Sequence, residues 1–342
     1  MHPVWRLLLM AIIFSTDHVL LSTCPADEAP LLPLTSTDLV VRIDPQTGRT
    51  ETLTGVIRDV RSRYLQLQRN AISQPVTLPL RQIVELHYRK GREHEEGLLL
   101  KQQRQWGAAV QALRAALPME PREWVQREMR AEIAQCLTQL RQHADVTSEV
   151  ERIMQSDPET RHVDLLPLIW DDGRSESART DVRPTDLSEA AVSKRLVAAS
   201  WYLVNSPHTA VARTVMQDLR NSGHPQIQLL AEVQTWRLEI YGEQQPDRSR
   251  LELWRIRARD LPRPVRGPAE YLLGRGLMRL QNPEAAATCF LWLLLMSPRD
   301  PDLTSDSVTR AVEALNQSGQ LEEAAIIRGL RPADVGTIPE LE

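Results

Sequence analysis

The sequence contains little cysteine, which limits what can hold the fold together. Three cysteines occur in 342 residues. Cys136 and Cys289 each stand alone in an apolar helical pattern, without a CxxC partner or metal-ligand spacing. We interpret both as small buried hydrophobic side chains. We therefore expect neither a disulfide framework nor a metal site, and the sequence suggests no cofactor.

A large charge of one sign is also missing. The formal net charge is −4, which implies no general attraction to nucleic acid or to a membrane surface. Only Lys90, Lys101 and Lys194 are lysines among the 41 basic residues. Arginine binds carboxylates and phosphates well, but a GC-rich genome produces the same preference. The arginine content alone is therefore no evidence for a ligand.

Compact catalytic motifs are absent as well. The sequence has no glycine-rich phosphate loop, HExxH, GxSxG or CxxC. In the segment HYRKGREHEE, residues 87–96, His94 and Glu95 are adjacent and point to different helix faces, so we expect a solvated junction between two domains. Asp171 and Asp172 are expected to begin a turn. We expect no enzyme, although a catalytic site assembled from distant residues remains an alternative.

The longest apolar stretch near the N-terminus is too short to span a membrane. It runs over residues 7–14 after one basic residue, Arg6, and is typical of a secretory signal within residues 1–24. Residues 21–24, LSTC, resemble a bacterial lipoprotein signal with lipid attachment at Cys24, although Thr23 departs from the usual pattern. Cleavage after Ala26 and a buried N-terminal helix are the alternatives. We expect an exported protein that is periplasmic, secreted or anchored to a membrane.

Alternation of apolar and polar residues predicts a small β-unit over residues 36–90. Short strands are expected at 39–43, 50–57, 64–68, 76–80 and 83–88, and Pro79 should lie at an edge or a strand end. This layout is similar to SH3-like or Sm-like barrels. Arg58, Arg61, Arg63 and Arg69 could contact phosphate, but only Tyr64 accompanies them for base stacking, so we do not expect nucleic-acid binding.

After Gly91 the pattern becomes helical and continues to residue 331. The most polar break, residues 171–186, is predicted to be a linker, and residues 332–342 to be a loosely ordered tail. The expected fold class is therefore α+β and mainly α, with a β-barrel-like unit followed by a helical domain.

Two segments of the helical region share one pattern. Residues 97–121 and 274–298 have the same length, are rich in alanine and leucine, and end at a proline. The aligned pairs are Gly97 with Gly274, Leu100 with Leu277, Ala109 with Ala286, Leu113 with Phe290, and Pro121 with Pro298. Weaker copies lie at 134–158, 200–219 and 311–330. This spacing resembles the tetratricopeptide repeat (TPR), a helix–turn–helix unit.

Each residue type in the pattern has a physical role. Glycine and alanine allow two helices to approach closely, the bulky residue fills the neighbouring gap, and proline ends the second helix. The resemblance implies an α-solenoid that binds a protein or peptide. An irregular helical bundle is the alternative.

The same resemblance implies where a partner would bind. In TPR proteins the first helix of each unit lines the concave surface, which places Arg275, Met278 and Arg279 in the groove. These side chains suit an acidic peptide segment, unless the arginines pair with Glu270 or Glu284. We expect a non-enzymatic interaction scaffold. An envelope lipoprotein that assists assembly of other envelope components is the alternative.

Overall fold

The computed structural model describes residues 37–70, 72–172, 182–242, 245–296 and 300–329. The predicted fold class is confirmed, because a small antiparallel sheet is followed by a mainly helical region. Three sequence predictions lie wholly outside the described residues: the signal segment with Cys24, the proline at position 298, and the tail at 332–342.

The five strands form one antiparallel sheet in the order β4-β3-β2-β1-β5. Their bounds are β1 Asp38–Ile43, β2 Thr50–Val60, β3 Tyr64–Gln68, β4 Val76–Pro79 and β5 Ile83–His87. The sheet is open, so the expected barrel closure is wrong. The two edge strands, β4 and β5, follow one another in the chain across a short 3-10 turn, Leu80–Gln82, and pair with different neighbours.

Local turn chemistry explains the positions of the first two strands. The carboxylate of Asp44 accepts hydrogen bonds from Gln46 N–H at 2.9 Å and from Thr47 Oγ1 at 2.8 Å. Gly48 follows with φ +65°, a conformation that costs glycine little. Pro79 is the last residue of the edge strand β4, as predicted. An edge strand tolerates proline because only one of its sides is hydrogen-bonded to another strand.

The described part of the helical region contains twelve α-helices. Their bounds are α1 Arg92–Gln102, α2 Trp106–Ala116, α3 Glu123–Gln139, α4 His143–Ser156, α5 Val192–Tyr202, α6 Thr209–Leu219, α7 Pro225–Tyr241, α8 Arg248–Asp260, α9 Arg263–Arg279, α10 Pro283–Met296, α11 Pro301–Gln317 and α12 Leu321–Gly329.

Four helix pairs are joined by the same turn. In each, one residue adopts a left-handed conformation, and the next N–H donates to the carbonyl of a leucine five residues earlier. The left-handed residues are Arg104 (φ 59°), Arg141 (φ 57°), Gln281 (φ 56°) and Gly319 (φ 79°). The hydrogen bonds run from Gln105 to Leu100, Gln142 to Leu137, Asn282 to Leu277 and Gln320 to Leu315, at 2.9–3.0 Å. The pairs α1–α2, α3–α4, α9–α10 and α11–α12 therefore share one hairpin geometry.

The two best-matching hairpins also share their packing. A Cβ atom placed on Gly97 would lie 2.6 Å from Leu113 Cγ, and one on Gly274 would lie 2.7 Å from Phe290 Cε1. Glycine at these positions thus lets the second helix bring a bulky side chain against the backbone of the first. Ala109 is fully buried in α2.

The remaining positions of the pattern follow the same arrangement. Ala286 is fully buried in α10, and Leu100 and Leu277 are partly buried beside the core. Pro121 lies in the link between α2 and α3. However, α2 already ends at Ala116, before the short 3-10 turn Leu117–Met119.

The inner face of the sheet packs on α3. Trp124 is 2% exposed and donates from Nε1 to the carbonyl of Ile57 at 3.2 Å. Arg127 donates to Val60 O at 2.9 Å, and Arg61 reaches Ser156 O at 2.8 Å. The sheet core therefore continues into the first helices.

Candidate partner-binding surface

Arg275 lies on α9 with its side chain 19% exposed. Its Nη1 donates to the hydroxyl of Tyr271 at 3.0 Å and lies 3.6 Å from the carboxylate of Asp306 on α11. Its guanidinium also stands 5.3 Å from the ring centroid of Tyr241, within cation–π range. These contacts hold Arg275 in one orientation between α7, α9 and α11.

Arg279 lies one turn further along α9 and is exposed. It donates from Nη1 to the carbonyl of Ile240 and stands 5.8 Å from the ring of Tyr241. Partial burial, followed by the charge of Arg275, lowers the pKa of Arg279. No carboxylate within the described ranges forms an ion pair with Arg279, so much of its charge faces solvent.

Met278 is half-buried against the helical core between these two arginines. Nearby, the hydroxyl of Tyr271 donates to Asp306 at 2.5 Å, and burial raises the pKa of Tyr271. Arg310 approaches the same carboxylate at 3.5 Å. We name Tyr241, Tyr271, Arg275, Met278, Arg279 and Asp306 the α9 surface.

The carboxylate partners expected from sequence are not those that the structure provides. Glu270 pairs with Arg266 at 3.0 Å, and Glu284 is exposed on α10. Asp306 pairs with Arg275 instead. Neither Asp306 nor Tyr241 was predicted, because each lies on a helix whose contact with α9 leaves no periodic signal in the sequence.

The equivalent surface on the first hairpin has another character. Lys101 on α1 donates to the side chains of Glu132 and Gln135 on α3. Leu98 is half-buried and Gln102 is exposed. The charge of Lys101 is therefore paired with a carboxylate on a neighbouring helix. Arg279 on the α9 surface has no such partner in the described ranges, so its charge is more available to a ligand.

A fully buried arginine supports the helices beside the α9 surface. Arg237 on α7 is 0% exposed and donates to the carbonyls of Asp171 at 2.5 Å and Ser200 at 2.6 Å. Burial lowers the pKa of Arg237 to about 10. The first residue of the predicted linker is therefore hydrogen-bonded to the helical core, and Val182, further along the same linker, is 7% exposed. Residues 173–181 of the linker lie outside the described ranges.

The histidine-rich segment differs from its expected solvated state. His87 is exposed on β5 beside Glu85, but His94 on α1 is 3% exposed. Its ring lies 6.3 Å from that of Tyr88, and its Nδ1 has no hydrogen-bond partner among the described residues. Burial, followed by the charge of Lys90, lowers the pKa of His94.

The arginines of the sheet contact the protein itself. Arg58 donates to Gln68 at 2.6 Å, Arg61 pairs with Asp59 at 2.7 Å, and Arg63 pairs with Glu159 at 3.3 Å. The two carboxylates reduce the charge that Arg61 and Arg63 present to solvent, whereas the neutral Gln68 leaves the charge of Arg58 unchanged.

A shallow pocket lies between residues 163–170 and helices α7, α9 and α11. Its walls are mostly apolar and include Trp170 and Leu303. Asp164 and Asp300 also line it. Asp300 accepts the N–H groups of Asp302 and Leu303 at 3.0 Å, and burial raises its pKa to about 6. Asp300 therefore acts as the N-cap of α11.

The two described cysteines are free and buried. Burial raises the pKa of the Cys136 thiol to about 11, which disfavours the reactive thiolate. Within the described ranges, no group of three or more His, Cys, Asp or Glu side chains is arranged to hold a metal ion.

No helix in the described part of the chain has the length and apolar character needed to cross a bilayer. Comparison of this chain with family models, curated proteins and solved structures finds no match.

Proposed function

We propose that the protein is a non-enzymatic interaction scaffold built from TPR-like helix hairpins. The shared hairpin turn carries this proposal, since four helix pairs repeat one backbone geometry with different sequences. The close glycine contacts at positions 97 and 274 add support. Stacked hairpins of this kind bury a continuous core and leave an extended surface for a partner.

The α9 surface is the proposed contact for an acidic peptide segment. Arg279 supplies an exposed guanidinium without a carboxylate partner in the described residues, and Met278 supplies an adaptable apolar contact. Arg275 and Tyr241 hold this region in place. A guanidinium binds a carboxylate through two parallel hydrogen bonds, so a partner with Asp or Glu fits best.

Site-specific photo-crosslinking tests the proposal while the partner is still unidentified. A photoreactive amino acid at position 279 should capture a partner in the native host. The same group at Thr288, exposed on the second helix of this hairpin, is the matched control. Once the partner is identified, Arg279→Glu should weaken its binding by roughly tenfold or more through charge repulsion.

Two results would contradict this assignment. One is equal capture from positions 279 and 288, and the other is unchanged affinity in an Arg279→Glu variant that melts like the wild type. Arg279 suits this test better than Arg275, because Arg275 also holds Tyr271 and Asp306.

We also propose export of the protein, with membrane anchoring through Cys24 as the alternative to a free form. The support is the LSTC sequence after a short apolar stretch. Metabolic labelling with a lipid precursor should mark the wild type but not Cys24→Ser if the anchored form is correct. An unlabelled wild type would exclude the lipid anchor at Cys24 and would favour the free form of the scaffold.

A further inference from the structure

Three arginines from three helices surround one buried carboxylate. Glu149 on α4 has a side chain that is 3% exposed. Arg130 on α3 donates to it at 2.8 Å, Arg152 on α4 donates at 3.0 Å, and Arg114 on α2 lies 3.8 Å away. These four residues, which we name the Glu149 cluster, lie in the first two hairpins and not on the α9 surface.

The cluster has more positive charge than its own carboxylate can neutralise. Three guanidinium groups face one carboxylate, which leaves an excess of two positive charges. Glu149 is the sole carboxylate among the described residues that forms an ion pair with any of the three. Each guanidinium has five N–H donors, and only two of these fifteen donate to acceptors in the described part of the chain. The remaining donors are available to another anion.

The position of the carboxylate prepares the cluster for binding. Glu149 is anchored below the surface and draws the arginines together, although their charges repel each other. Arg114 and Arg152 remain about half-exposed, at 46% and 55%. An anion bound between them would relieve the repulsion and would not have to order both side chains, which lowers the entropic cost of binding.

We propose that the Glu149 cluster is a binding site for a tetrahedral dianion, namely a phosphate or sulfate group. Two negative charges match the excess charge of the cluster, and arginine donates to phosphate through a planar, bidentate group. This site is independent of partner binding at the α9 surface. The dianion can be a free ion or the monoester headgroup of a lipid.

The test is titration of the full chain with inorganic phosphate at constant ionic strength, monitored by calorimetry. We expect saturable binding that Arg114→Gln with Arg152→Gln weakens by roughly tenfold or more. Arg92→Gln with Arg213→Gln is the matched control, since it removes the same charge from two other exposed positions. Thermal melting would verify that both double variants fold.

Vesicles distinguish the two sources of the dianion. Binding to phosphatidic acid vesicles but not to phosphatidylcholine vesicles, with loss in the Arg114/Arg152 variant, supports a lipid headgroup. Binding of inorganic phosphate alone, with the same loss, supports a free ion or a small monoester. The proposal is overturned if the wild type binds neither probe, or if the Arg114/Arg152 variant binds both as well as the control does.

Discussion

At the residue scale, small side chains at helix crossings determine how closely the hairpins pack. Gly274 faces the ring of Phe290, and Gly97 faces Leu113 in the same way. The two bulky residues differ in shape, yet both fill the space that the missing Cβ leaves. The stability of each hairpin therefore depends on a glycine that helix propensity alone would disfavour.

Gly274→Ala should destabilise the protein by about 1–3 kcal/mol. The added methyl group would lie 2.7 Å from the Phe290 ring, and this overpacking outweighs the gain in helix propensity of up to about 1 kcal/mol. Gly107→Ala on α2 is the control, because nothing lies within 4 Å of its Cβ position; we expect equal or greater stability. Urea unfolding would measure both. A Gly274→Ala variant as stable as Gly107→Ala would exclude the proposed close crossing.

His94 should make the protein less stable in mild acid. Burial lowers its pKa below 6.5 in the folded state, so the unfolded chain binds the proton more readily. The stability present above pH 6.5 is therefore lost as the pH falls below that value, with a slope of at most about 1.4 kcal/mol per pH unit.

Urea unfolding between pH 5 and pH 8 would measure this effect. His94→Leu should flatten the pH dependence below pH 6.5, whereas His87→Leu, which removes an exposed histidine, is the matched control. The same pH dependence in the wild type and in His94→Leu would argue against this explanation.

At the element scale, backbone conformation rather than residue type defines the hairpin turn. Three of the four left-handed positions hold arginine or glutamine, and only Gly319 is a glycine. The strain at each non-glycine position is about 1–2 kcal/mol, and packing of the two helices must compensate for it.

Gly319→Ala should destabilise the last hairpin by about 1–2 kcal/mol, although nothing lies within 4 Å of the added methyl group. The cost comes from the backbone, since φ is +79°. Gly329→Ala, in open space at the end of α12, is the control and should cost little. Thermal melting would distinguish the two. An equal effect of both substitutions would mean that the turn does not constrain residue 319.

The sequence predicted these elements to different degrees. The strands were predictable because alternation of polarity and turn residues such as Asp44 and Gly48 are local signals. The open state of the sheet was not predictable, because closure into a barrel depends on whether the two edge strands, β4 and β5, pair with each other. Arg275, Met278 and Arg279 were placed on one helix face by their spacing. Their contacts with Tyr241 and Asp306 could not be predicted, since these depend on how α7 and α11 pack.

At the scale of the whole molecule, the sheet and the first helices are one structural unit. Trp124 lies on α3 but packs in the core of the sheet. Arg61, which follows β2, donates a hydrogen bond to the carbonyl of Ser156 at the end of α4. The change from alternating to helical pattern near Gly91 indicates where secondary structure changes. It does not indicate an independent boundary in packing.

Trp124→Ala should cost about 3–5 kcal/mol and should loosen the sheet and α3 together. The side chain is 2% exposed, and its loss leaves a cavity and removes the hydrogen bond from Nε1 to the Ile57 carbonyl. Hydrogen exchange should then accelerate in β3 as well as in α3. Trp292→Ala, which removes a half-buried side chain on α10, should leave exchange in β3 unchanged. Faster exchange in α3 alone would show that the sheet is stable without it.

The order of contacts along the chain has a mechanical consequence. The principal contacts of α12 are with α11, and those of α11 are with α10 and α12, whereas β1 pairs with β5, the last strand of the sheet in the chain. If the two ends were pulled apart in an optical trap, the C-terminal hairpins would peel away one after another in small extensions at low force. The sheet would resist until β1 separated from β5 and would then open in a single larger step.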